Sequence, residues 1–180
     1  MGERDDDQSL VEQCRRGDPE AFAALVRRHQ RMIHALTFRM TGSLADAEDL
    51  AQETFIQAHR QLDGFRSEAR FSSWLYRIAV NRCLNWRKRA ERQEQVLAQW
   101  RQEVEPAPAQ ANDLARQVQD ALMKLHPKQR AAIVLTAYDG LNHAEAARVL
   151  GCSEATVSWR VFAARRKLKR WLQPLAGRHE

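Results

Sequence analysis

Apolar residues recur at spacings of three and four through most of this chain, and no feature constrains its fold more. Phe22, Leu25, Val26, His29, Ile33, Leu36 and Met40 form one such series. A helix advances about 100° per residue, so these positions make a single stripe along one face. Punctuation between the stripes is of the helical kind. Gly17 stops one segment, then Asp18 offers an N-cap and Pro19 a first helical position. Gly42 followed by Ser43, Asn142, and Gly151 followed by Ser153 repeat the same stop-and-cap logic. Seven glycines and five prolines in 180 residues leave few turns. The expectation is an all-α chain.

The same signals divide the chain. Helices are expected over 8–16, from Pro19 to Gly42, over 44–62, and from Phe71 to about Arg92, with 63–70 as a loop. Polar sequence then runs into EVEPAPAQAND at 103–113, where the Pro-Ala-Pro core reads as an extended, semi-stiff connection. Beyond it come a helix over 114–125, a break at His126-Pro127, a helix through Tyr138, and a turn at Asp139-Gly140. An Asn142-capped short helix and a Ser153-capped helix to about Leu172 complete the chain. Two helical domains, 1–92 and 114–180, are therefore expected to be joined by a flexible linker at 93–113.

Charge and reactive residues narrow the function classes. The net charge is +6, unevenly spread. Residues 121–180 hold 11 Lys and Arg against 4 Asp and Glu, and 61–92 hold 8 against 3, whereas 1–60 and 93–120 are net acidic. Two basic blocks suit a polyanion, and an acidic block suits a basic partner. Cys14, Cys83 and Cys152 are scattered, which fits a reduced compartment better than a disulfide framework. The six histidines show no metal-ligand spacing, so no metal or cofactor is expected. The acidic start MGERDDDQ has no apolar run, and no window approaches 18 uninterrupted apolar residues, so neither a secretory signal nor membrane insertion is expected. A cytoplasmic protein without a catalytic site fits these observations.

Three features carry the functional reading. First, residues 142–168 pattern as a short helix, a Gly-containing turn and a longer basic helix. Val157, Val161, Ala164 and Leu168 would face inward. Ala155, Trp159, Phe162, Arg166 and Arg170 would face a major groove, flanked by Ser158. A helical hairpin with a basic solvated face is the competing reading. Second, Trp74, Arg77, Asn81, Asn85 and Lys88 repeat at three and four beside Phe65, Arg66 and Phe71. Interleaved aromatics, amides and cations suit unpaired DNA bases, although Phe71 and Trp74 read equally well as core. Third, Asp46, Asp49 and Glu53 line the side of 44–62 opposite its apolar residues, which alone suggests only a solvated face.

Together these features carry a resemblance. DAEDLAQETFIQAH (46–59), followed by FRSEARFSSWLYRIAVNRCLNWRKR (65–89), closely resembles region 2 of the extracytoplasmic-function group of sigma-70-family sigma factors. GDPEAFAALVRRH (17–29) matches the usual start of that region. LHPKQRAAIVLTAYDGLNHAEAARVLGCSEATVSWRVFAARRKL (125–168) is similar to region 4. The resemblance implies a dissociable subunit that directs core RNA polymerase to promoters. Asp46, Glu48, Asp49, Gln52 and Glu53 would dock on the basic clamp helices of the β′ subunit, with the β subunit as a further partner. Phe65, Arg66, Phe71, Trp74, Arg77, Asn81, Asn85 and Lys88 would recognise and melt the promoter −10 element, with 66–70 receiving a flipped base. Ser153, Glu154, Thr156, Ser158, Trp159, Arg160, Phe162, Arg165 and Arg166 would read the −35 element. An anti-sigma factor is the usual family partner.

Departures from the family pattern lie in the last helix. Relatives often carry basic residues at the positions of Ser158 and Ala163, and a serine at that of Trp159. Two phosphate or base contacts are therefore expected to be absent, and two aromatics to be added. The competing functions are a free-standing helix-turn-helix regulator, which has no use for the acidic face, and a helical adaptor, which leaves the basic block unexplained.

Overall fold

The computed structural model describes residues 2–66, 70–98 and 114–176, and among them there is no strand. The first module holds α1 (Gly2–Arg15), α2 (Pro19–Thr41), α3 (Leu44–Arg60), a 3-10 turn at Leu62–Gly64, and α4 (Phe71–Ala98). The second holds α5 (Leu114–Met123), α6 (Pro127–Ile133) continuing as a π-helical turn at Val134–Tyr138, α7 (His143–Leu150) and α8 (Glu154–Ala176). The expected linker centre at 103–113 lies outside the described residues.

Local chemistry sets most boundaries. The Asp18 side chain accepts from the Glu20 amide with Pro19 at the first helical position, and α2 ends on Gly42 at φ 76°. Ser43 caps α3, and Asn142 with Glu145 closes a capping box on α7. Gly151 ends α7 at φ 60°, a conformation a side chain disfavours. Two helices run past their expected ends. α1 begins at Gly2 instead of Gln8, because Asp6 and Asp7 find partners: Asp7 pairs with Arg28 at 2.8 Å and with His29 at 3.0 Å. Acidic residues also suit the first turns of a helix. α4 continues to Ala98, six residues beyond Arg92, through sequence of good helix propensity.

Packing follows the stripes. Leu25, Ile33 and Leu36 of α2 bury against Leu50 and Phe55 of α3 and Leu75, Ile78 and Ala79 of α4. Each fully buried aliphatic side chain contributes about 1.5–3 kcal/mol. Buried hydroxyls are satisfied internally, Thr37 donating to the Ala47 carbonyl at 2.9 Å and Thr54 to that of Leu50 at 2.6 Å. In the second module Leu122, Leu125, Val134, Leu135, Val149, Val157 and Val161 form the core.

The two cores are continuous, and the modules meet along two helices of the first: α4 packs on α6 and α7, and α2 on α5, α6 and the π-helical turn. Gln119 donates to the Phe38 carbonyl at 3.1 Å. Arg130, 2% exposed, donates to the carbonyls of Met40 (2.5 Å), Leu122 (2.8 Å), Met123 (2.7 Å) and Leu125 (3.2 Å). Burial, and secondarily the neighbouring Arg87, lowers its pKa to about 10, so it stays charged at neutral pH. The π-helical turn delivers Tyr138 and Asp139 onto Arg39. The Arg39 guanidinium lies 4.6 Å from the centre of the Tyr138 ring and 3.7 Å from Asp139 Oδ1. The Asp139 carboxyl is buried, with no hydrogen-bond partner for Oδ2 among the described residues, and burial pushes its pKa up to about 6 despite Arg39.

Candidate nucleic-acid interface and docking face

α3 presents its acids as the spacing requires. Ala47, Leu50, Ala51, Thr54, Phe55 and Ala58 are buried, so Glu48, Asp49, Gln52 and Glu53 are exposed and Asp46 is half-buried. Glu53 is drawn towards α4 by Arg82, which donates to Glu53 at 3.1 Å and to Gln57 at 2.9 Å. On the other flank of these acids lies an open groove of about 800 Å³ between α2 and α3. Phe22, Val26, Phe55 and Ile56 supply its apolar lining, and Glu48 and Gln52 border it. The residue pattern pointed Phe22 and Val26 into the core, but both are only half-buried. Ile56, 46% exposed, is the signal that the residue pattern left unused: an apolar residue on the polar side of the helix, lining the groove.

The aromatic part of the α4 stripe sits deeper than the rest. Phe65 and Phe71 are buried, at 5% and 3% exposure, and meet edge to face at 5.6 Å. Trp74 is half-buried against both, with ring centres 5.1 and 5.5 Å away. Arg77, Asn81, Asn85 and Lys88 are all exposed on one side of the helix, and Arg66 is exposed at the edge of the aromatic cluster. Residues 67–69 of the expected base-receiving loop lie outside the described residues. Phe65 and Phe71 thus anchor both flanks of the loop in the core, while the exposed amides and cations, beside a half-buried Trp74, remain available to a ligand.

α7 and α8 form a helix-turn-helix. The Cys152 amide donates back to the Ala147 carbonyl at 3.1 Å, and Ser153 Oγ accepts from the Thr156 amide at 3.2 Å. Val157, Val161 and Ala164 are buried, which turns Glu154, Trp159, Phe162, Arg165, Arg166 and Arg170 outward. Trp159 and Phe162 are each 64% exposed. Other candidate contacts are engaged inside the module. Ser158 pairs with His143 at 2.8 Å, Ser153 with Thr156 at 2.8 Å, and Arg160 reaches Cys152 Sγ at 3.5 Å. Ala163 is buried, so a basic residue there would not simply add to the exposed face.

Comparison with known proteins decides the family. The family description Sigma-70 region 2 matches residues 25–93, and Sigma-70, region 4 matches 115–168. The RNA polymerase sigma-H factor of Pseudomonas aeruginosa is 34% identical over 96% of each chain. This chain belongs to the extracytoplasmic-function group of sigma-70-family sigma factors. Among solved structures, the sigma factor RpoE of Bartonella quintana, in complex with the anti-sigma factor NepR, is similar at TM-score 0.71 and 27% identity, covering 84% of this chain and 96% of its own. CnrH, in complex with the cytosolic domain of CnrY, is similar at TM-score 0.71 and 33% identity, covering 94% and 98%.

As a sigma factor the chain binds core RNA polymerase and directs promoter-specific initiation, region 2 recognising and melting the −10 element and region 4 reading the −35 element. Sigma factors are initiation factors, and the family implies no enzymatic activity. Among the described residues no helix is long and apolar enough to cross a membrane.

Proposed function

We propose that the division of labour within this sigma factor follows three surfaces. Residues 1–92 dock on polymerase and capture the −10 element, 93–113 connect, and 114–180 read the −35 element. Asp46, Glu48, Asp49, Gln52 and Glu53 meet a basic surface of polymerase, the β′ clamp helices, and the adjoining α2/α3 groove takes an apolar side chain from the same partner. Arg66, Trp74, Arg77, Asn81, Asn85 and Lys88 meet the unpaired −10 strand. Ser153, Glu154, Thr156, Ser158, Trp159, Arg160, Phe162, Arg165 and Arg166 meet the −35 major groove, with Ser158 and Arg160 also held by partners within the module. The chain works in the cytoplasm, contributes no catalytic step, and is restrained by an anti-sigma factor of the kind that accompanies NepR's partner.

One observation carries this reading. An exposed acidic face with an apolar groove beside it lies on the same module as a stripe of exposed amides and cations. A regulator that bound duplex DNA alone would need the first no more than the second. Promoter melting driven by binding energy needs no hydrolytic group, because flipped bases are held by stacking and edge contacts.

Run-off transcription with sigma-free core polymerase and a library of promoters tests the assignment. Sigma-dependent initiation should be lost when Asn81 and Arg77 are replaced together by Ala, while holoenzyme still assembles. Full initiation by that variant would remove the −10 assignment.

A further inference from the structure

Phe65 and Phe71, which flank the segment assigned to −10 capture, are both buried, and α1 supports both of them. At the first, the Arg15 guanidinium donates through Nη2 to the carbonyls of Leu62 (3.2 Å), Asp63 (3.5 Å) and Phe65. At the second, Asp7 Oδ2 holds His29 Nε2 at 3.0 Å, and the His29 ring lies 5.4 Å from that of Phe71. Nothing in the promoter-binding reading requires α1, which contributes none of the candidate DNA contacts.

The arrangement is nonetheless specific. Three carbonyls in and just after the 3-10 turn, those of Leu62, Asp63 and Phe65, converge on one cation. Hydrogen bonds to a charged donor are about twice as strong as neutral ones. Arg15 is exposed, so its side chain would be free to wander without these carbonyls. Asp7 and His29 are both buried, at 8% exposure, and their pairing fixes the surface on which Phe71 rests. Phe65 and Phe71 in turn carry Trp74.

We propose that α1 is a positioning element for −10 capture. Arg15 fixes the chain at Phe65 and Arg66, and the Asp7–His29 pair fixes Phe71, so that Trp74 and Arg66 are presented in one pose to an unstacked base. The inference rests on the −10 assignment made above. Its physical basis is pre-organisation: a surface ordered before the base arrives does not have to be ordered by it. Arg15 is a positioning residue and touches no DNA.

Kinetics of holoenzyme on a promoter with 2-aminopurine in the −10 non-template strand provide the test. Arg15→Gln keeps a hydrogen-bond donor but removes the charge. It should slow the fluorescence rise of base unstacking about tenfold, with closed-complex affinity unchanged. The slope of log affinity against log salt should also stay the same, whereas loss of a phosphate contact would lower it by about one unit. Arg15→Lys, which keeps three donors on one cation, should recover most of the rate. Unaltered unstacking, equal loss in closed-complex affinity, or a reduced salt slope would each overturn the proposal. If Arg15→Gln lowers the melting temperature of the chain, Arg15→Lys decides: a rate as slow as that of the Gln variant, in a stably folded protein, overturns it. Trp74→Ala and Asn81→Ala in the same assay separate the two levels. If these leave unstacking intact, the −10 assignment fails. If they slow it and Arg15→Gln does not, only the role of α1 fails.

Discussion

The guanidinium of Arg130 in the second module donates to the carbonyl of Met40 in the first, at 2.5 Å. Its other three bonds go to carbonyls at and just beyond the end of α5. One side chain therefore closes two helix ends that belong to different modules. The contact has a geometric implication for promoter binding. Elements centred about 25 base pairs apart are separated by about 85 Å at 3.4 Å per pair. A compact chain of this length has a radius of gyration of about 16 Å. Reading both elements at once requires the modules to part, which breaks the contacts around Met40 together with those of α4 on α6 and α7.

Replacing Arg130 should be costly in the free protein. Arg130→Ala orphans several buried carbonyls, each worth about 1–3 kcal/mol when left without a donor in the interior, with some relieved by water. A net loss of about 3 kcal/mol in urea denaturation is expected. Arg130→Lys should recover less than half of it, since a compact ammonium cannot span acceptors on two helix ends. A loss under about 1 kcal/mol would show that the four bonds are dispensable.

Asp139 should make stability depend on pH. Its folded pKa of about 6 lies above the ordinary carboxylate value of 3.8. The folded chain therefore takes up a proton that the unfolded chain does not. This contribution is fully present below the ordinary value and is lost as pH rises through about 6. Arg39 from α2 and Tyr76 from α4 are the ionisable groups that face it, with Tyr138 alongside. Asp139→Asn should raise the melting temperature at pH 7.5, and the gap from the parent should close towards pH 5. The size of the effect is on the order of 3 kcal/mol, from about two pKa units. A gap that does not vary with pH would sink this account.

Charge on α3 should matter to polymerase in proportion to its availability. Asp49 is exposed, whereas Glu53 is engaged by Arg82. Asp49→Lys should weaken holoenzyme assembly at least tenfold at low salt, and less at high salt where the charges are screened. Glu53→Gln should cost less. Equal core affinity for the Asp49 variant and the parent, measured by competition against a labelled sigma factor, would remove α3 from the docking face.

Trp159 and Phe162 should read thymine methyl groups. They are large, exposed and one helical turn apart on a surface bordered by arginines. Burying one methyl is worth about 0.8 kcal/mol, or roughly fourfold in affinity. Duplexes selected by holoenzyme for a −35 element should bind about fourfold more weakly per contacted thymine when it is replaced by uracil. The combined Trp159→Ser and Phe162→Ala variant should not distinguish the two bases. Indifference of the parent to uracil would refute methyl readout.

Much of this structure was legible because much of it is local. Asp18, Ser43, Asn142, Gly42 and Gly151 act on neighbours within four residues, so residue type alone announced those helix ends. The inward faces of α3 and α8 followed from spacing. What escaped depended on distant partners. Residue type does not announce that Arg130 is buried, because its guanidinium ties nearby carbonyls of Leu122, Met123 and Leu125 to that of Met40, 90 residues away. The extension of α1 to Gly2 rests on pairs with Arg28 and His29, and the π-helical turn adds one residue per turn without any breaker to mark it. Phe65, Phe71 and Trp74 were ambiguous between core and DNA contact, since an aromatic at helical spacing suits both. Their positions grade from buried to half-buried, which a pattern of residue types does not encode.

Cys83 gives the meeting of the two modules a chemical clock. Its side chain is 2% exposed, burial holds its thiol pKa up at about 12, and it lies near the Arg130 guanidinium. A thiol so placed is neither ionised nor reachable at pH 8 while the chain is closed, whereas Cys14 and Cys152 are partly accessible. Alkylation of Cys83 by iodoacetamide can proceed only through a state in which its surroundings have opened. With Cys14 and Cys152 changed to serine, the rate of that one modification measures how often the native chain lets go of itself around Cys83.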